Sequence, residues 1–363
     1  MSPKCSTSHK NVRNAAGRRY TIKVQANRKT DQEETERTML QPANLAAGVP
    51  ARGKSGAKSP SFWKTIRKYW VFYLMMLPAA VILFINNYLP MFGTLIAFKN
   101  VNYSKGILAS PWVGFDNFRY LFATSDAWVI TRNTILYNAV FIILNLVVAV
   151  AFAVMFNEMR GKMWAKFHQS TMFLPFFLSM VTVGYLVFAF LSHGNGFMNT
   201  YLLPKLGLQP IDWYSEPKYW PFILPIINTW KNIGYYTVIY LAAIVGIDQE
   251  YYEAALIDGA GKWKQTWYIT IPLLKPVMIV MTLLQIGRIF YADFGLFFQV
   301  TRNSGILYPT TLVIDTYVYQ TFIVMGDIGM SSAAGLYQAL VGFILVLVSN
   351  AIVRRVSREN ALF

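Results

Sequence analysis

Long apolar runs separated by short charged segments dominate this chain from residue 70 onward. Residues 70–98, 133–157, 169–204 and 328–353 contain no Asp, Glu, Lys or Arg. Each can supply a membrane-spanning helix, which needs about 20 apolar residues at about 1.5 Å rise each and leaves no backbone group unpaired in lipid. The first and third runs are long enough to hold flanking loop or interfacial structure as well. Two further runs carry isolated charges: residues 220–247 include Lys231, and residues 276–298 include Arg288 and Asp293. Either alone resembles a buried helix of a soluble protein. Beside four unbroken runs, they read as spans whose charged sides face a protein-lined cavity. Residues 306–324, ILYPTTLVIDTYVYQTFIV, hold Pro309 and Asp315 between Gly305 and Gly326 and predict an external amphipathic or interfacial piece rather than a seventh span.

Composition supports a membrane body, with 55% hydrophobic and 14% charged residues where soluble domains carry about 25% charge. The formal charge of +16 is unevenly placed, since residues 1–70 hold 15 Lys and Arg against 4 Asp and Glu. Beside a polytopic body such a tail suits an anionic leaflet and an orientation signal better than nucleic acid. Its polar composition predicts a disordered basic cytoplasmic tail over residues 1–64, followed by a membrane domain over 65–363. The tail does not read as a secretory signal, because the first long apolar run starts near Trp70 and no small-residue cleavage pattern follows it.

Charge placement then sets topology. With the N-terminus inside, Arg160, Lys162 and Lys166, then Lys262, Lys264 and Lys275, then Arg354, Arg355 and Arg358 all fall inside. The outer segments are the external loop 99–132, residues 205–218 and the stretch around Arg302. This positive-inside bias favours six helices with both termini cytoplasmic. Trp and Tyr residues such as Trp70, Trp112, Trp128, Trp164, Trp220 and Trp267 cluster near the expected ends, where an amphipathic ring meets headgroups and hydrocarbon together.

Several chemistries are excluded. Cys5 is the single cysteine, and His9, His168 and His193 stand apart without metal-ligand spacing. No nucleophile and base arrangement suggests an enzyme, and no glycine-rich phosphate loop with its lysine is present to hydrolyse ATP.

The loop over residues 248–275 is unusual. In GIDQEYYEAALIDGAGKWKQTWYITIPLLKP, from Gly246 to Pro276, an apolar helical stripe covers residues 251–257 and Asp258-Gly259 breaks it. A second short helix fits residues 262–268, and Pro272 and Pro276 bracket re-entry into the membrane. Tyr251, Tyr252, Leu256, Trp263 and Trp267 make this knob too apolar for an ordinary solvated loop. It must pack under its own membrane domain or sit in a partner's groove.

Glu253-Ala254-Ala255, Asp258-Gly259-Ala260 and Ile271-Pro272 resemble the EAA loop of binding-protein-dependent ABC importer permeases, with Ile271 where Leu is commoner. Further segments resemble the carbohydrate branch of that family: VGFDNFRYLF from Val113, Asn133-Thr134, Leu174-Pro175, the stretch from Thr229 through Lys264, IDTYVY from Ile314 and the final SNAIVRRVSREN. The likeness covers residues 65–363. It implies an all-α polytopic membrane protein with the type I ABC importer permease fold, a six-helix bundle and a cytoplasmic coupling helix. Glu253, Ala254, Ala255, Leu256, Asp258, Gly259 and Ala260 would meet the ATPase. It further implies a second permease subunit, as a sister chain, two copies of an ABC ATPase holding ATP and Mg2+, and an extracytoplasmic solute-binding protein in a bacterial cytoplasmic membrane. This subunit would bind no cofactor or metal itself.

The expected cargo is an oligosaccharide or polysaccharide. Depth, polarity and aromatic character select Asn228, Trp230, Lys231, Asn232, Tyr235, Gln285, Arg288, Tyr291 and Asp293 as the solute path. Two cations against one carboxylate suggest uronate-containing sugars, while an Arg288–Asp293 structural ion pair is the competing reading. A secondary solute transporter or a non-transporting membrane scaffold are the alternative functions. Neither accounts for the assembled motif from Glu253 to Pro272.

Overall fold

The computed structural model describes residues 8–13, 19–24, 62–159 and 161–356. It divides into two units, Met1–Ala79 and Ala80–Phe363. In the first, strands β1 (Ser8–Arg13) and β2 (Arg19–Val24) pair antiparallel, with Ser8 opposite Val24 and Arg13 opposite Arg19. The rest of the expected disordered tail, and Arg358 with the chain end, lie outside the described residues.

Among the described residues, four helices are long and apolar enough to cross a membrane, at Ile66–Phe98, Asp126–Glu158, Lys262–Ile286 and Ile328–Arg355. A fifth span is counted if a bent pair, Met163–Phe177 with Met180–Leu191, is taken together. The first contains helix α1 (Phe62–Leu83), which tolerates Pro78 within it and passes through a π turn into a 3-10 stretch, Leu89–Phe98. A short helix, α2 (Asp116–Ala123), precedes α3 (Asp126–Glu158). With neither Gly nor Pro, α3 runs unbroken for 33 residues, about 50 Å at 1.5 Å per residue.

The third apolar run behaves differently. Instead of one span it forms α4 (Lys162–Phe173), a 3-10 turn at Leu174–Phe177 and α5 (Met180–Leu191), with a 100° bend between them. Pro175 lacks the N–H a continuing helix needs, and Ser179 starts the new helix by accepting from the Thr182 N–H at 3.2 Å. The bend is therefore local chemistry rather than loop slack.

Helix α6 (Trp220–Val245) is long enough to span, but no 18-residue stretch of it is as apolar as those of the other four. It leads through α7 (Gln249–Ile257) to α8 (Ile271–Ile286). The residues 262–268 expected as a separate helix are instead the first turns of the α8 rod, which continues through Pro272 and Pro276. The expected span over 276–298 ends early: α8 stops at Gly287, residues 291–293 are irregular, and helical turns resume at Leu296–Val300.

Residues 306–324 form short turns and helix α9 (Ile314–Tyr319), none long enough to span. Leu307, Val313 and Ile314 are fully buried, while Ile306 and residues 322–324 at the two ends are exposed. Helix α10 (Ile328–Val356) closes the described chain.

Packing centres on α3, which contributes to all three apolar clusters. Tyr137 and Phe141 meet Val183, Leu224 and Phe297; Ala127 and Ile130 meet Phe290 and Ile314; Ala149 and Ala153 meet Tyr240 and Leu274. Small residues in the last group let backbones approach, so that van der Waals contact rather than water exclusion holds the helices within lipid. Trp220, expected near an interface, is fully buried and donates its indole N–H to the Trp213 carbonyl at 2.8 Å.

Candidate functional site

One face from each of three helices lines a cleft of about 520 Å³. Asn138, Phe141, Ile142 and Asn145 come from α3; Asn228, Asn232, Tyr235 and Tyr236 from α6; Met281, Leu284 and Gln285 from α8. These spacings of three, four and seven place each set on one side of its helix. Arg288, Tyr291 and Asp293 complete the wall from the irregular stretch after α8.

The cleft's polar groups are largely held in place. Asn232 donates to the Asn228 side-chain oxygen at 3.0 Å, and Asn145 donates to Gln285 Oε1 at 3.4 Å. Asn138 donates to the carbonyls of Ile289 at 3.0 Å and Tyr291 at 3.3 Å, bracing the break that carries Arg288. The Asn145 side-chain oxygen is buried with no hydrogen-bond partner among the described residues. Asp293 accepts from the Leu296 N–H at 3.1 Å. Amides that donate and accept, phenol rings, one guanidinium and one carboxylate around an open volume suit a hydroxyl-rich ligand.

Of the nine path residues chosen from sequence, the cleft gathers seven: Asn228, Asn232, Tyr235, Gln285, Arg288, Tyr291 and Asp293. Trp230 instead lines an apolar groove with Phe190 and Ile226. Lys231 is buried and turns to the break after α4, where Nζ donates to the carbonyls of Phe176 at 2.9 Å, Leu178 at 2.7 Å and Pro175 at 3.4 Å. The cation excess that suggested uronates thereby reduces to Arg288 against Asp293 in the cleft. These two form no ion pair within 4.0 Å among the described residues. Sequence reasoning missed Asn138, Asn145 and Tyr236. Two asparagines seven residues apart in an otherwise apolar run were the available signal.

The second feature is the knob joining α6 to α8. Asp248 caps α7 by accepting from the Glu250 N–H at 3.1 Å. At its other end Gly259, with φ of 75°, donates to the Leu256 carbonyl at 3.0 Å, while the Ala260 N–H reaches the Ala255 carbonyl at 2.8 Å. This pair of bonds is a Schellman cap, which explains a glycine after Asp258. Tyr252 anchors the knob through its hydroxyl to Thr270 Oγ1 at 3.0 Å, and Gln265 Nε2 donates to the Ala260 carbonyl at 2.9 Å. Lys262 reaches Glu158 at the end of α3 at 3.3 Å. No α7 residue is buried. Glu253, Ala254, Leu256, Asp258 and Gly259 are exposed, and Ala255 and Ala260 are half-buried.

Residues 127–358 match the family described as binding-protein-dependent transport system inner membrane component. The polygalacturonan/rhamnogalacturonan transport system permease protein YteP of Bacillus subtilis (strain 168) is 33% identical over 79% of this chain and 89% of its own length. Protein LplB of the same organism is 32% identical over 81% of this chain and 91% of its own. A crystal structure of a bacterial ABC transporter involved in import of the acidic polysaccharide alginate has a matching chain with a TM-score of 0.74, 32% identity, and coverage of 81% of this chain and 99% of that one. Residues 127–358 take in the bent pair, the cleft and the knob. This chain therefore belongs to the binding-protein-dependent transport system inner membrane components, as a permease subunit of the carbohydrate branch of ABC importers.

Proposed function

We propose that this permease carries an oligosaccharide, uronate-containing, through the cleft between α3, α6 and α8, driven by ATPases that push on α7. The observation that carries this reading is continuity. Two cleft walls, α6 and α8, are the helices that the knob joins, so a displacement of α7 passes directly into both. The path is short: about 14 Å of helix from Tyr236 to Val245, and about 21 Å from Ile271 to Gln285.

In this reading the chain makes six crossings, with α6 among them and both termini cytoplasmic, as the placement of Lys and Arg favours. Glu253, Ala254, Ala255, Leu256, Asp258, Gly259 and Ala260 seat in an ATPase cleft. Two ATPases, a sister permease and an extracytoplasmic solute-binding protein complete the importer in a bacterial cytoplasmic membrane. ATP closure draws the coupling helices together and opens the cleft outward; hydrolysis and product release return it inward. Interactions that differ between those two states are what drive the change. A uronate cargo is supported by the polygalacturonan/rhamnogalacturonan and alginate importers among the similar proteins. Arg288 is the cleft cation available to a sugar carboxylate.

Two measurements on the reconstituted importer test this. Deleting residues 253–259 should abolish co-isolation of the ATPase while the permease still reaches the membrane; retained ATPase would sink the role of the knob. Arg288→Gln should slow transport of uronate-containing oligosaccharides about tenfold and leave neutral ones unchanged. Equal slowing of both would remove charge recognition from the account.

A further inference from the structure

We propose that Lys231 is a positioning residue: its ammonium latches the break between α4 and α5 and so sets the shape of the cleft, without touching solute. This inference rests on the transport reading above and deepens it.

The 100° bend takes the Phe176 and Leu178 carbonyls out of any helical ladder. An exposed carbonyl inside a membrane has no water to pair with. An ammonium has three N–H donors, and Lys231 directs them to Pro175, Phe176 and Leu178. Lys231 is only 8% exposed and has no carboxylate within ion-pair distance among the described residues. The bend needs a donor and the buried cation needs acceptors, and each satisfies the other.

The latch communicates with both sides of the cleft. One turn beyond Lys231, Gly234 lies so close to the end of α4 that an added Cβ would fall 2.6 Å from Phe173 Cα. The Phe176 ring stacks on Tyr235, a cleft residue, with centroids 5.0 Å apart and planes 9° from parallel. Past the break, Gly184 of α5 meets the Gln299 backbone, and Met180 packs where Gly295 leaves room, two residues beyond Asp293. Loosening the bend would therefore move Tyr235 on one wall and the segment carrying Asp293 on the other.

Transport by the complete importer in proteoliposomes provides the test, with neutral and uronate-containing oligosaccharides measured side by side. Lys231→Met removes the donors and keeps the length. The expected result is a fall of about tenfold in maximal rate, equal for both sugars, with half-saturating concentration changed less than about twofold. Lys231→Arg, which keeps several N–H donors, should restore most of the rate. Should Lys231→Met fail to assemble, Lys231→Gln, with an amide offering two donors, should show a smaller loss that is again equal for both sugars. A wild-type rate in Lys231→Met or, in its place, Lys231→Gln overturns the latch, and so does a defect confined to the uronate sugar. Failure of the wild-type complex to transport either sugar would instead count against the proposed cargo.

Discussion

The cleft and the knob share two helices, α6 and α8, yet present opposite surfaces. The cleft is concave and polar within an apolar body, with Asn145 and Asn228 buried and most of its amides tied to neighbours. The knob is convex and apolar, with Tyr251, Leu256, Ile257, Trp263 and Trp267 all more than half exposed. Polar groups inside lipid are costly and apolar groups outside it are prone to association, so each surface is placed where it is least self-sufficient. The first calls for a ligand and the second for a protein groove. The two glycines that serve these regions differ in the same way: Gly234 is required by space, and Gly259 by backbone angle.

The comparison can be broken at graded cost. Leu256→Asp puts a charge on the exposed centre of the knob and should weaken ATPase association about a hundredfold, as loss of a buried anchor does, with no change in solute affinity. Pull-down of the ATPase measures it; undiminished capture would mean that α7 is not the docking element. Gly234→Ala drives a Cβ into the backbone of Met172 and Phe173, so it should destabilise the permease by about 2 kcal/mol, read as a lower melting temperature in detergent. Gly259→Ala meets no atoms but must hold φ at 75°, which costs about 1 kcal/mol. It should fray α7 and lower coupling severalfold, with a smaller fall in melting temperature than Gly234→Ala. Lys262→Ala removes an ion pair whose partners are 74% and 31% exposed. Its effect should stay below about 0.5 kcal/mol, and a larger loss would give that bridge from the knob to α3 a coupling role.

Much of this was legible along the chain. The unbroken apolar run of α3, the breaker at Asp258-Gly259 and the EAA-type motif are local features, carried by residue type and spacing alone. Cleft residues on α6, α8 and the stretch after it were found from depth, polarity and aromatic character. The contribution of α3 was harder to see. Asn138 and Asn145 sit in its hydrophobic run, and only packing against α6 and α8 turns that side inward. The third run reads as one span with flanking structure, and nothing along it indicates a 100° bend. Residues 306–324 carry the polarity of a surface segment, yet their short turns let Leu307, Val313 and Ile314 reach the core.

By itself the sequence determined the membrane character, the apolar runs, the helix break at Asp258-Gly259 and the motif on the knob, because each depends on neighbours within a few turns. Only the tertiary structure decided where Lys231 points. Its charge and depth suit a cleft as well as a capped bend, and the choice belongs to carbonyls more than fifty residues away that come within reach once α6 packs against α4.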